Sequence, residues 1–209
     1  RPDNTADNTA EAAQRQRRAI LRLPLLILLG LVTAPVAADM PATLQVVAIA
    51  PEYPGRLPGD KRWLVYLDGP LDPGATSRLV SLILTEHITH AVVYLNSPGG
   101  SLVTAMQLGR VLRERAFDTR VGTRTTDATR ATAGTCHSAW PFLLAGGVRR
   151  SLEHGSAVGL HRAENRVPVG DEDAFQHVVG THVVEYLAEM GVRTEIASLM
   201  QAIPHERIR

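Results

Sequence analysis

The stretch from His90 to Glu114, HAVVYLNSPGGSLVTAMQLGRVLRE, leaves the chain around it few choices. Ala91–Leu95 is a short apolar run rich in β-branched and aromatic residues, which predicts a buried strand. Asn96, Ser97, Pro98, Gly99 and Gly100 interrupt it. Leu102, Ala105, Met106, Leu108 and Leu112 then recur at helical spacing, with Arg110, Arg113 and Glu114 on the other side. Ser101 stands at the N-cap position, where a short side-chain oxygen can accept from an otherwise orphaned N–H. Two adjacent glycines at a strand-to-helix corner let the backbone turn sharply and leave its N–H groups bare. Bare N–H groups there suit an anion or a developing oxyanion, although an ordinary βα turn has the same composition.

The 209 residues suffice for one domain with a full core, and 44% apolar with 21% charged residues reads as globular. A net charge of +1 gives no reason to expect nucleic acid as a partner. Lys61 is the sole lysine, so lysine-based catalysis has one candidate at most. Cys136 is the sole cysteine, which excludes an internal disulfide and a cysteine metal cluster.

Near the start, Arg15, Arg17, Arg18 and Arg22 precede an apolar run, Leu23–Val32, and small residues follow to Val36-Ala37-Ala38. That order is the pattern of a secretory signal peptide, with cleavage expected before Asp39. The run is short for a bilayer span, which needs about 20 apolar residues. A retained anchor, with residues 23–36 associating with a membrane, is the alternative. The chain therefore divides into an N-terminal tail with signal peptide or anchor, 1–38, and an α/β domain, 39–209. The expected location is exported, periplasmic or membrane-anchored in a bacterium.

Within the domain, Leu44–Ile49 and Arg62–Leu67 read as strands, and Asp72–Thr85 holds Leu79, Val80, Leu82 and Ile83 at helical spacing. Strand, helix, strand, helix predicts an α/β core with parallel strands. A strand is expected near Thr119–Gly122, followed by an exposed loop to Thr135. Ala139–Ala145 reads as a short apolar helix, with Pro141 in its first turn and Gly146 or Gly147 closing it. Ser138 then stands at the helix start, where N–H groups and the dipole favour negative charge. Val148–Leu152 and Ala157–Leu160 read as two short strands around a turn at His154-Gly155, with His161 closing the second. Asp171, Glu172 and Asp173 load the first turn of a long helix, with Phe175, Val178, Val179, Val183, Tyr186, Leu187 and Met190 as its apolar face. Gly191 ends it, and a shorter helix runs from Thr194 to Ala202 before Pro204.

A serine that attacks an acyl carbon needs a base for its proton and N–H donors for the oxyanion. NSPGGSLVTAM, then a serine followed by a proline-containing FLLAGG, then SAVGLH, resembles the proteolytic subunit of the Clp protease over roughly Arg62–Ala202. His161 follows Ser138 by 23 residues, which fits that family's spacing. The resemblance implies Ser138 as nucleophile, His161 as general base, and the backbone N–H groups of Gly100 and Ala139 as the oxyanion hole. It also implies a crotonase-like spiral of ββα units with a mostly parallel sheet, a homo-oligomer, a peptide or protein substrate, and no cofactor or metal.

The chain departs from the family in several places. The family's acidic triad member lies after the last helices, but Ile203–Arg209 holds no aspartate. Glu206 is the nearest carboxylate there and the candidate triad acid, with Pro204 or His205 where the acid would fall. The family continues with a further strand and helix, so the sequence is expected to be incomplete at its C-terminal end. A signal peptide is foreign to that cytosolic family and fits exported relatives. Many of those pair serine with lysine, but Lys61 precedes the core. Trp140 is expected to pack beside the site, where the family has a small residue, and to narrow the substrate pocket. Cys136 reads as a small buried side chain, His137 as pointing away from the site, and His87 and His90 as solvated or capping. The rival reading, motivated by the missing acid and Trp140, is an inactive scaffold serving as a binding or assembly module. A spiral-fold enzyme acting on thioesters is the third.

Overall fold

The computed structural model describes residues 40–127, 129–164 and 170–204. The segment read as signal or anchor, and Glu206, lie outside the described residues. In chain order the strands are β1 (Gln45–Ile49), β2 (Trp63–Asp68), β3 (Ala91–Asn96), β4 (Asp118–Val121), β5 (Thr123–Arg124), β6 (Ala131–Thr132), β7 (Thr135–His137), β8 (Arg150–Leu152) and β9 (Ala157–Gly159). The helices are α1 (Ala75–Thr85), α2 (Leu102–Glu114), α3 (Trp140–Gly146), α4 (Glu172–Glu189) and α5 (Glu195–Ala202).

Strands β2 and β3 are apolar on both faces and form the parallel centre of a five-stranded sheet ordered β1-β2-β3-β4-β8. Parallel neighbours need long crossovers, which α1 and α2 supply. Strands β4 and β8 extend the sheet in parallel, and β1 runs antiparallel at the opposite edge. The fold is thus mixed α/β with a mostly parallel central sheet.

Alternation along the strands divides the core in two. Val65, Leu67, Val93 and Leu95 join the helices in the main cluster. Leu64, Tyr66, Val92 and Tyr94 face the other way, with the two tyrosine rings stacked at 4.7 Å between centroids. Helix α2 opens on Ser101, whose hydroxyl accepts from the Thr104 N–H at 3.2 Å. Helices α2 and α3 touch backbone to backbone, because Gly109 and Gly146 leave no side chain between them and a Cβ on Gly146 would strike the Gly109 backbone. Tyr186 on α4 donates to the Phe142 carbonyl of α3 at 2.7 Å.

Two expectations need correction. The expected exposed loop before Thr135 contains the antiparallel pair β5–β6, whose Ala131 packs against the tyrosine face of the sheet. Both strands expected around His154-Gly155 are present, and they pair with different partners. β8 joins β4 in the main sheet, whereas β9 pairs in parallel with β7. Val178 is 53% exposed, because α4 docks mainly through its C-terminal half, by Val183, Tyr186, Leu187 and the C-cap Met190, with Val179 only partly buried.

Candidate active site

The polar ends of β2 and β3 anchor the site. The Asn96 amide donates to the Asp68 carboxylate at 3.0 Å, and its oxygen accepts the Thr135 N–H at 2.9 Å. The Thr123 hydroxyl donates to the same carboxylate at 2.7 Å. Asp68 and Asn96 are buried, so these bonds replace the water that both groups lose. Ser97 donates its N–H to Thr135 and accepts from the His137 N–H, so β7 runs beside the end of β3.

Past Ser97 the chain makes the diglycine corner. Gly99 and Gly100 adopt φ of +147° and +142°, a region that side chains rarely tolerate. A Cβ on Gly100 would lie 2.5 Å from the Leu71 nitrogen. One on Gly99 would lie 3.0 Å from the Ser138 Cβ and 3.3 Å from its Oγ, so the missing side chain makes room for the serine. The Gly99 carbonyl accepts from the Leu71 N–H at 3.1 Å, the Ser97 hydroxyl at 3.1 Å and the Trp140 indole N–H at 3.0 Å. Among the described residues, neither the Gly100 nor the Ala139 N–H donates to a backbone carbonyl.

Ser138 occupies the second corner, between β7 and α3. Its φ of +62° lies in the left-handed region, at a cost of about 1–2 kcal/mol for a residue with a Cβ. The half-buried serine donates its N–H to the Gly159 carbonyl at 2.9 Å, continuing the β7–β9 ladder by one step. Since β7 and β9 are parallel, with His137 opposite Gly159, Ser138 and His161 leave neighbouring strand ends in the same direction. The His161 Nδ1 lies 2.8 Å from the Arg162 carbonyl. A carbonyl can only accept, so in the neutral ring Nδ1 carries the proton and Nε2 is the basic nitrogen. The Arg162 N–H donates to the Ile203 carbonyl at 2.9 Å, which ties the C-cap of α5 to the residue after His161. Glu206, further along that segment, is outside the described residues.

Two residues differ from expectation. Trp140 does not narrow a pocket: it is fully buried, and its indole holds the Gly99 carbonyl. His137, read as pointing away, lies close enough to His161 to sense its charge. Burial first, and then the charge of His161, hold the His137 imidazole below its ordinary range. The β7–β9 register explains this, since His137 faces a glycine two residues before His161. Cys136 is buried as expected, and burial pushes its thiol far up from the ordinary range, which removes it as a nucleophile.

The chain matches no family model and no curated protein. Among solved structures it is similar to a mutant of the 1510-N membrane-bound stomatin-specific protease, at 12% identity and a TM-score of 0.45, covering 66% of this chain and 67% of that one. It is also similar to the ClpP protease catalytic domain from Plasmodium falciparum, at 17% identity and a TM-score of 0.48, covering 68% and 74%. Both scores lie below 0.5, and the functional reading rests on the residues of this chain.

Proposed function

We propose that this chain is a Clp-like serine peptidase in which Ser138 is the nucleophile and His161 the general base. The observation that carries the reading is the strained Ser138 corner, set against Gly99 and beside the parallel strand end that leads to His161. Strain held in a serine at a strand-to-helix turn has a use when its hydroxyl must project toward a substrate. The Nε2 of His161 takes the Ser138 proton as Oγ attacks the peptide carbonyl carbon. The carbonyl π pair moves onto oxygen, and the Gly100 and Ala139 N–H groups stabilise that oxyanion. When it collapses, the C–N bond breaks and the leaving amine takes the proton from His161. Water, deprotonated by the same imidazole, then hydrolyses the acyl-enzyme.

The Arg162 carbonyl performs part of the work of a triad acid, since it fixes the tautomer and orientation of His161. Glu206 remains the candidate acid from the family resemblance. The same resemblance supports a crotonase-like spiral, a homo-oligomer and a peptide or protein substrate. The basic, apolar, small-residue order of residues 15–38 supports an exported or membrane-anchored protein.

A fluorophosphonate probe is expected to label the wild type and to leave Ser138→Ala unlabelled, with His161→Ala slowed by a factor of about 10²–10⁴. Equal labelling of wild type and Ser138→Ala ends the reading. The rival scaffold reading keeps only the lack of an aspartate in Ile203–Arg209 as support, since Trp140 is a core residue here.

A further inference from the structure

We infer that Trp140 and Ser97 are positioning residues of the oxyanion hole, acting through the carbonyl of Gly99. The inference rests on the peptidase reading and adds residues that the reading does not use. The Gly99 carbonyl and the Gly100 N–H belong to one peptide unit. Among the described residues no peptide bond is cis, so the two groups point in opposite directions. Whatever holds the carbonyl therefore aims the N–H.

Three donors from three parts of the chain hold it. The Leu71 N–H comes from the turn after β2, the Ser97 hydroxyl from the same corner, and the Trp140 indole from α3. They lie at 3.1, 3.1 and 3.0 Å, which are ordinary hydrogen-bond lengths. A peptide between two glycines is otherwise the part of a corner freest to rotate. Ser97 and Trp140 are both fully buried, so neither side chain can exchange this acceptor for water. A buried indole N–H without a partner is costly, which makes the Trp140 bond hard to break. The three bonds also draw electron density onto the Gly99 oxygen, and that strengthens the Gly100 N–H as a donor.

Trp140 further joins the two halves of the site. It lies two residues after Ser138, so one side chain ties the helix behind the nucleophile to the corner that bears the Gly100 donor.

The test uses the full chain and a fluorophosphonate probe, whose phosphoryl oxygen gains charge when Ser138 attacks. Trp140→Phe removes the N–H together with some volume. Replacing Trp140 by 3-benzothienylalanine keeps the ring shape and removes only the N–H. Both changes are expected to lower the second-order labelling rate about tenfold, a fraction of the roughly 10²–10³ lost when an oxyanion donor is deleted outright. Ser97→Ala is expected to lower it by a similar factor. The amide resonance of Gly100 is expected to shift in the isostere variant, a readout that lost packing elsewhere does not move. If the wild type labels and the isostere variant labels as fast, or the Gly100 resonance stays in place, the inference is overturned. If the wild type itself does not label, the peptidase reading has failed instead.

Discussion

Two corners face each other across the site, and they solve the same turning problem differently. At the end of β3 the chain turns on Gly99 and Gly100, both at strongly positive φ. At the end of β7 it turns on Ser138 at φ +62°, with no glycine present. The first corner needs an unadorned backbone, because Leu71 and Ser138 occupy the space that side chains would take. The second retains a side chain against the backbone preference. His87 and Ala116 also have positive φ, at +51° and +53°, but each follows a helix C-cap. There a six-to-one hydrogen bond, such as Phe117 N–H to the Leu112 carbonyl, accounts for the conformation. Ser138 follows a strand, not a helix C-cap, and among the described residues no such six-to-one bond accompanies its positive φ.

The largest effect expected from this contrast is at Gly100. Gly100→Ala combines a forbidden φ with a backbone collision and should destabilise the chain by about 3–5 kcal/mol in urea unfolding. A loss below about 1 kcal/mol would show that the diglycine corner is no tighter than its neighbour. Next comes Ser138→Gly, which should gain about 1 kcal/mol in the same measurement while fluorophosphonate labelling disappears. Ala116→Gly should gain a similar amount with labelling intact. If Ser138→Gly is neutral or destabilising, the serine is not held there against its backbone.

The smallest effect concerns His137, on the strand leading into the serine corner. Its pKa lies below the ordinary 6.5 in the fold, because burial and then His161 disfavour its charged form. The unfolded chain therefore takes up that proton at higher pH than the folded one. Stability from this group is full above 6.5 and declines as pH falls from 6.5 toward the depressed folded value. His137→Gln should flatten that part of the curve of melting temperature against pH. A curve unchanged by the substitution would separate His137 from the site.

The diglycine corner, the Ser101 cap, α2 and the short helix after Ser138 were all legible in the sequence. Each is set by neighbours within a few residues: a cap, a breaker, a 3.6-residue period. Strands β2 and β3 were legible for a related reason, since a strand buried on both faces is apolar throughout. The β7–β9 pair was not. Thr135–His137 is three residues long and carries no period, and its partner lies some twenty residues later. The positions of His137 and Trp140 depend on that pairing and on the contact between α2 and α3, so they escaped with it. Val178 sits on the apolar stripe of α4, but where that helix docks is decided by distant elements.

The glycine crossing of α2 and α3 has a mechanical consequence. Helix α2 grows out of the diglycine corner, and α3 grows out of the serine corner. With Gly109 and Gly146 in direct contact, neither rod can slide along the other without a backbone clash. The hydroxyl and the Gly100 donor are thus mounted on a single stiff frame. His161 stands outside that frame, on the strand end after β9, where its Nδ1 meets the Arg162 carbonyl.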